Sequence, residues 1–411
     1  MELYDDPVQM EPLLIPDYRP PYSGLIGLAS ELAEASSRLD AAIPLATAQG
    51  LTELVSGMNC YYSNLIEGHH TLPVDIEKAL QAAASKREAP DKLDSLALAH
   101  IEADQWARGQ KLDAATISPF LLAVHRRFCA LLPEEMLTLS DGSRMAAGAF
   151  RTRDVSVGRH IAPGWQRLEI FLQHFAKTYG PRLEAAQKSG IGRLNAIIAT
   201  VAAHHRLVWI HPFSDGNGRV ARIFLDAMLR DCKLNKAGLW SFSRGFAKTQ
   251  GRYKAALAHA DEPRHGDLDG RGNLSEKRLA EFCGYALETG IDQARFMEGL
   301  FALGDFETRC KHYFGNIRLD LKAESAYLYI AAFREGELDR MAAGRITGLP
   351  ERTARDVLGK LLAEGFLTSD SPRGKLRAAF PVKALGTLFP NLYPAGDLDF
   401  ALSGFEGRRK K

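Results

Sequence analysis

The sequence predicts a mainly helical protein with one short β-hairpin near its middle and a small helix-turn-helix module with a two-stranded wing toward its end. Three observations carry this reading. Apolar residues recur at helical spacing through most of the chain from about Leu25 onward. That period breaks between Gly148 and Pro163, where apolar and polar residues alternate around Gly158. Beyond Glu324, three short helical patterns are followed by two apolar stretches that bracket a basic turn.

Composition narrows the class. The chain has 411 residues, long enough for two or three domains, and its 46% hydrophobic and 25% charged content is that of an ordinary globular protein. With 52 basic against 50 acidic residues, bulk charge names no partner. Cys60, Cys129, Cys232, Cys283 and Cys310 are scattered and odd in number, which points to reduced core thiols rather than a disulfide framework or zinc site. The chain begins Met1-Glu2-Leu3-Tyr4-Asp5-Asp6, acidic where a signal peptide needs positive charge, and no apolar run reaches the length of a membrane span. The expectation is a cytoplasmic protein without a membrane partner.

Element by element, Pro7, Pro12, Pro16, Pro20 and Pro21 predict an extended arm laid over the body. A helix follows from Leu25. Thr52-Glu53-Leu54-Val55 opens a second, on which Ser63 and Glu67 share a face and which Gly68 ends. Asp75–Leu80 and Asp91–Ala99 are helical, and Ser118-Pro119 supplies a cap and a first-turn proline for a helix in which His125 is a packing residue. Phe150–Pro163 is the hairpin.

The most informative stretch runs His211-Pro212-Phe213-Ser214-Asp215-Gly216-Asn217-Gly218-Arg219-Val220-Ala221-Arg222. Gly216 and Gly218 flank Asn217 just before a helical pattern, so the turn presents free N–H groups at a positive helix end, suited to phosphate oxygens. Arg219 and Arg222 are three apart and share a face, where bidentate forks can grip successive phosphates. Asp215 is a hard oxygen donor for Mg²⁺, and His211 titrates near neutrality and can take a proton from a hydroxyl. Read singly, each residue also fits a plain helix start with Asp215 as cap.

The run resembles, residue for residue, the His-Pro-Phe-x-(Asp/Glu)-Gly-Asn-Gly-Arg-x-x-Arg signature of the Fic family, and His204-x-x-Leu207-x-x-Ile210-His211 looks like the helix leading into it. The resemblance covers about three quarters of the chain and implies a Fic-type helical bundle. It also implies transfer of AMP from ATP to a Ser, Thr or Tyr hydroxyl of a target protein, self-modification included. By that analogy His211 is the general base and Asp215 holds Mg²⁺. Gly216, Asn217 and Gly218 hold the α-phosphate, and Arg219 and Arg222 the β- and γ-phosphates. The related Doc kinases carry Ala and Lys in place of the two glycines, so Gly216 and Gly218 favour nucleotidylation. Ser63-x-x-x-Glu67-Gly68 resembles the family's inhibitory motif, which implies that Glu67 pairs with Arg222 and obstructs the γ-phosphate. The hairpin is similar to the flap on which a target strand docks.

Tyr253, in Gln250-Gly251-Arg252-Tyr253, resembles the tyrosine beside the nucleotide base, and a core tyrosine reads equally well. His265–Asn273 fails as a calcium loop, because Arg271 and Arg278 fall where ligands belong. Toward the end, helices over Glu324–Phe333, Leu338–Ala343 and Glu351–Leu362 have helix-turn-helix spacing, and Asp370–Lys375 makes a basic wing tip. Arg352, Arg355, Arg373, Lys375 and Arg377 could meet DNA phosphates, diluted by Glu351 and Asp356. The tail Arg408–Lys411 reads as disordered. The expected organisation is an N-terminal arm and inhibitory segment over 1–117, a catalytic core over 118–300 and a winged helix over 320–395. The alternatives are a deAMPylase using the same site and a DNA-binding regulator that senses nucleotide.

Overall fold

Proline placement decides where the chain first becomes helical. The structure, a computed structural model, describes residues 4–85, 92–187 and 190–398. Pro7 opens a 3-10 turn, Pro7–Met10, capped by Asp6. Pro20 and Pro21 occupy the first turn of α1 (Pro20–Ala42), where a missing N–H has no intrahelical role. Helix α1 therefore begins at Pro20 rather than near Leu25, and the extended arm is shorter than expected. What remains of it does lie on the body: Leu13 and Ile15 are buried, and Arg206 Nε and Nη2 donate to the Pro12 carbonyl at 3.1 and 2.9 Å.

Helix α2 (Leu45–Ile66) also starts earlier than the pattern at Thr52 suggests, after Pro44. Thr52 does not cap it; its hydroxyl donates back to the Ala48 carbonyl at 2.6 Å, the bond a threonine makes inside a helix. Then come α3 (Pro73–Ser85), α4 (Lys92–Arg108), α5 (Ile117–Ala130) and α6 (Glu134–Leu137). Ser118 does not cap α5: Thr116 precedes the helix, and the Asp113 carboxylate accepts the Ala115 and Thr116 N–H groups at 2.8 Å each. The hairpin consists of β1 (Ser156–Val157) and β2 (His160–Ile161), antiparallel with Val157 opposite His160. It is shorter than the alternation suggests, since Phe150–Asp154 lie outside either strand.

The bundle proper follows: α7 (Leu168–Ala186), α8 (Ile191–Ile210), α9 (Asn217–Asp231), α10 (Phe242–Lys248), α11 (Gln250–Ala260) and α12 (Glu276–Phe301). Helix α8 is buried almost all round, as its near-continuous Ala/Ile/Val run requires, and α1, α7, α9 and α12 pack against it. The last stretch holds α13 (Leu303–His312), α14 (Ser325–Glu335), α15 (Ala343–Thr347), α16 (Glu351–Ala363), the antiparallel pair β3 (Leu367–Thr368) and β4 (Arg377–Ala378), and α17 (Val382–Leu388). The helix expected over Leu338–Ala343 is a 3-10 turn, Arg340–Ala342, leading into α15. Arg408–Lys411 lie outside the described residues. No described helix is long and apolar enough to cross a membrane, and all five cysteines are buried and free.

The core carries titratable groups that make stability depend on pH. Burial lowers the pKa of His100, His125 and His211 to about 4 and of His204 to about 3. The unfolded chain therefore takes up protons below about pH 6.5 while the folded chain resists until about pH 4, so stability is intact above 6.5 and falls through that window. Asp226, pushed up to about 7 by burial, acts in the opposite sense, as do the raised Asp40, Asp231 and Glu276, but the lowered histidines, His69 and His205 among them, are more numerous. Each tenfold difference in proton affinity between folded and unfolded chain is worth about 1.4 kcal/mol, so the unfolding free energy in urea should drop by several kcal/mol between pH 7 and 4.5. Equal midpoints and slopes at the two pH values would contradict it.

Candidate functional site

Helix α8 stops at Ile210 because His211 adopts φ 50° and ψ 61°, a left-handed conformation uncommon outside glycine, and Pro212 cannot continue the helix. The turn is held from outside by Arg151. Its backbone N–H donates to the Pro212 carbonyl at 2.9 Å, its Nε to the His211 carbonyl at 2.8 Å, and its terminal nitrogens to the carbonyls of Arg153 and Pro163. From the sequence, Arg151 belongs only to the hairpin. An arginine buried to bond carbonyls far along the chain leaves no periodic trace.

Inside the turn, His211 Nδ1 lies 3.2 Å from the Val208 carbonyl, which assigns the proton to Nδ1 and leaves a lone pair on Nε2. Burial is the main cause of its lowered pKa, opposed by the Val208 carbonyl and reinforced by His160 and Arg151, so the ring is neutral at pH 7. Asn217 closes the loop: its amide accepts the Phe213 N–H at 2.9 Å and donates to the Phe213 carbonyl at 2.8 Å. Both polar groups of its amide are thus engaged within the turn, and the backbone N–H groups remain. Behind the turn His125 stacks on Phe213, ring centroids 4.1 Å apart, and its Nδ1 accepts the Gly148 N–H at 3.0 Å, which is the packing role expected of it.

Gly216, at φ 79°, is the N-cap of α9, a conformation that favours glycine, and no described side chain caps the helix. The first N–H groups of α9 thus have no intrahelical acceptor, and the positive end of the helix opens into the turn. Asp215 is not a cap. It accepts the neighbouring Gly216 N–H, at 2.5 Å, and its side chain is 56% exposed.

Arg219 and Arg222 are both buried, and their environments differ. The Arg219 guanidinium lies over the Phe128 ring at 4.6 Å, with Nη2 3.9 Å from Asp215, while its buried Nε and Nη1 have no hydrogen-bond partner among the described residues. Unsatisfied buried N–H groups are costly, and an anion would relieve them. Arg222 is held from α2: Nε donates to Ser63 Oγ at 3.0 Å, and Nη2 to the Ser63 carbonyl at 3.0 Å and to Glu67 Oε1 at 2.7 Å. The Glu67 carboxylate also lies against Gly218, where a Cβ would stand 2.3 Å from Oε1, so a side chain there would push the carboxylate aside. Burial alone would raise the Glu67 pKa, but Arg222 and then Arg219 outweigh it and hold the carboxyl below its usual range. Gly68 follows in the left-handed region, and Gln250 Nε2 donates to the Ile66 carbonyl at 2.9 Å at this end of α2.

Tyr253 is packed into the core in this arrangement. It is 3% exposed, stacks on Phe246 at 4.3 Å, and its hydroxyl bonds His204 Nε2 at 2.8 Å.

A family model described as Fic/DOC family matches residues 117–229, the segment that holds α5, the hairpin and the whole turn. Residues 117–229 are a Fic/DOC-family domain. The match is narrower than the three quarters of the chain that the resemblance suggests. Over 258 residues the chain is 26% identical to the protein adenylyltransferase Fic of Nematostella vectensis, covering 61% of this chain and 51% of that one. Over 109 residues it is 31% identical to the enzyme of the same name from Aedes aegypti, covering 26% and 18%. The chain thus spans about half the length of the first relative and under a fifth of the second. Among solved structures, a Fic family protein from Desulfovibrio desulfuricans G20 superposes with TM-score 0.49 at 18% identity, over 89% of this chain and 99% of that one. Around the Fic domain, α2 supplies Ser63 and Glu67 from outside the matched residues, so the site draws on more of the chain than the domain alone. In the C-terminal region the cations expected to meet DNA are largely paired: Arg355 with Glu351 at 2.9 Å, Lys375 with Glu337 at 3.1 Å, and Arg377 with Asp370 and Glu337. Asp269 accepts the His265 and Lys277 N–H groups at 2.9 Å each, which makes that glycine-rich loop a connection.

Proposed function

We propose that this chain is a protein adenylyltransferase that moves AMP from ATP to a hydroxyl of a protein target, held in check by Glu67. The observation that carries the proposal is the division of labour between the two motif arginines. Arg219 is buried with unsatisfied N–H groups beside an uncapped helix end, while Arg222 is occupied by a carboxylate from another helix. In the proposed organisation, 1–117 contributes the inhibitory segment, 118–300 the catalytic core, and 320–395 a winged helix.

The neutral His211 suits a general base. With Nδ1–H turned to Val208, Nε2 takes the proton as the hydroxyl oxygen bonds to the α-phosphorus and the α–β anhydride bond breaks, releasing pyrophosphate. The N–H groups at the start of α9 and the free donors of Arg219 take the phosphate oxygens, and Arg222, once released, takes the terminal ones. Asp215, exposed and offering a hard carboxylate oxygen, would hold Mg²⁺ bound together with ATP. Such a metal supplies charge neutralisation on the phosphates.

Incubation with ATP labelled at the α- or the γ-phosphate tests the reading. Protein should acquire the α-label only, and Asp215→Ala should remove that labelling with little change in Tm, because its side chain is exposed and caps nothing. A structural cap would lose about 0.5–2 kcal/mol. Incorporation of γ-label would make the chain a kinase and sink the proposal.

A further inference from the structure

Helix α2 is gripped on two sides. Ser56, Asn59, Ser63 and the following Glu67 share the face that meets α4 and α9: Ser56 Oγ donates to Asp104 Oδ2 at 3.0 Å, Asn59 Nδ2 to Asp226 Oδ2 at 3.5 Å, and Ser63 and Glu67 hold Arg222. At 3.6 residues per turn, Thr47, Gly50, Gly57 and Tyr61 fall on the other side. Every one of these meets the C-terminal region. The Thr47 hydroxyl donates to the Phe333 carbonyl of α14 at 2.6 Å, and a Cβ on Gly50 would stand 3.0 Å from the Ala378 carbonyl of β4. A Cβ on Gly57 would stand 3.6 Å from the Tyr393 hydroxyl, and the Tyr61 hydroxyl donates to Asp397.

The segment after α17 makes the tightest part of this contact. Tyr393 packs edge-on against Tyr61 at 5.3 Å and parallel to Tyr62 at 6.3 Å, and the Tyr62 hydroxyl donates to the Leu392 carbonyl at 3.0 Å. Asp397, with its side chain 16% exposed, also receives His70 Nε2 at 2.9 Å, from the loop just past Glu67. Residues 392–397 therefore span α2 from Tyr61 to the loop beyond Gly68, directly behind the carboxylate that occupies Arg222.

We infer that Tyr61, Tyr62, Tyr393 and Asp397 are positioning residues for Glu67, and that the C-terminal region sets the strength of the inhibitory contact through them. Such a brace has one physical consequence. A rigid helix held on both faces transmits a shift at one face to the other, because packed interfaces have few alternative arrangements. Releasing Asp397 lets α2 move away from α9, weakens the hold of Glu67 on Arg222, and opens that guanidinium to a triphosphate. A ligand on the C-terminal region that displaces residues 392–397 would do the same, and linkage requires that ATP binding at Arg222 loosen the brace in return.

This inference rests on the proposed inhibitory role of Glu67, and the test separates the two. In the full chain, Asp397→Ala should raise α-label incorporation about five-fold or more. It should also speed amide hydrogen exchange over residues 56–67 relative to α8. Asp397→Asn keeps an acceptor for Tyr61 and should restore both to wild-type values. In a Glu67→Gly background, Asp397→Ala should add nothing to labelling. If Glu67→Gly raises labelling while Asp397→Ala changes neither labelling nor exchange in α2, the brace is overturned. If exchange in α2 quickens in Asp397→Ala but neither variant labels faster, the brace stands and the inhibitory reading of Glu67 falls. Faster exchange throughout the bundle with a lowered Tm would make Asp397 a general stability residue, which also overturns the proposal.

Discussion

His211→Ala should lower α-label transfer by about 10²–10⁴-fold while leaving nucleotide affinity within a few-fold of wild type. The separation follows from the geometry. His211 donates Nδ1–H to Val208 and leaves Nε2 free, whereas the groups proposed to meet the phosphates are the first N–H groups of α9 and the guanidinium of Arg219, none of which depends on the imidazole. The backbone of the turn is held independently by Arg151 on the His211 carbonyl and by Asn217 on both polar groups of Phe213, so removal of the ring should not collapse it. The variant also removes a buried, low-pKa imidazole, and should therefore be less sensitive to acid than wild type in the pH 6.5 to 4 window. Single-turnover labelling and calorimetric titration with ATP measure the two quantities. Wild-type labelling by His211→Ala would remove the assigned base; loss of both labelling and binding would mean that the ring is structural.

Glu67→Gly should increase labelling, of the protein itself and of targets, by an order of magnitude or more. Two constraints are lifted together. Arg222 Nη2 regains the donor now given to Glu67 at 2.7 Å, and a carboxylate that would repel the phosphates leaves the space above Gly218. The Ser63 contacts to Arg222 remain, so the guanidinium stays aimed at the site after the change. Adding Arg222→Ala should cancel the gain, because in the proposed mechanism the released arginine takes the terminal phosphates. Unchanged labelling by Glu67→Gly, together with loss of AMP removal from a pre-labelled target, would assign Glu67 to a water and make removal the main reaction.

Much of this site is legible in the sequence because its signals are local. A histidine followed by proline ends a helix, and a glycine ahead of Asn217 starts the next one uncapped; Arg219 and Arg222 then fall on one face of it. Gly68 marks the end of α2 for the same kind of reason, and the alternation around Gly158 marks the hairpin even though only two residues on each side pair. Helix starts are less legible. Prolines at 20 and 21 look like interruptions, whereas a first turn accepts them; Thr52 looks like a helix start and Ser118 like a cap, although α2 begins at Leu45 and Ser118 caps nothing.

What only the tertiary structure decided is which distant polar groups share a burial site. The Glu67–Arg222 pair could be expected through resemblance but not from either residue's neighbours. The hold of Arg151 on the His211 turn, the inward turn of the Asn217 amide, the placement of Tyr253 on Phe246 and the grip of Asp397 on Tyr61 have no sequence signal at all. The physical reason is one of range. Periodicity and turn chemistry report on a residue's own few neighbours, so they place helices and their ends. A buried hydrogen bond depends on which two surfaces the packed bundle brings together, and that is settled only when α2, α9 and the C-terminal region meet.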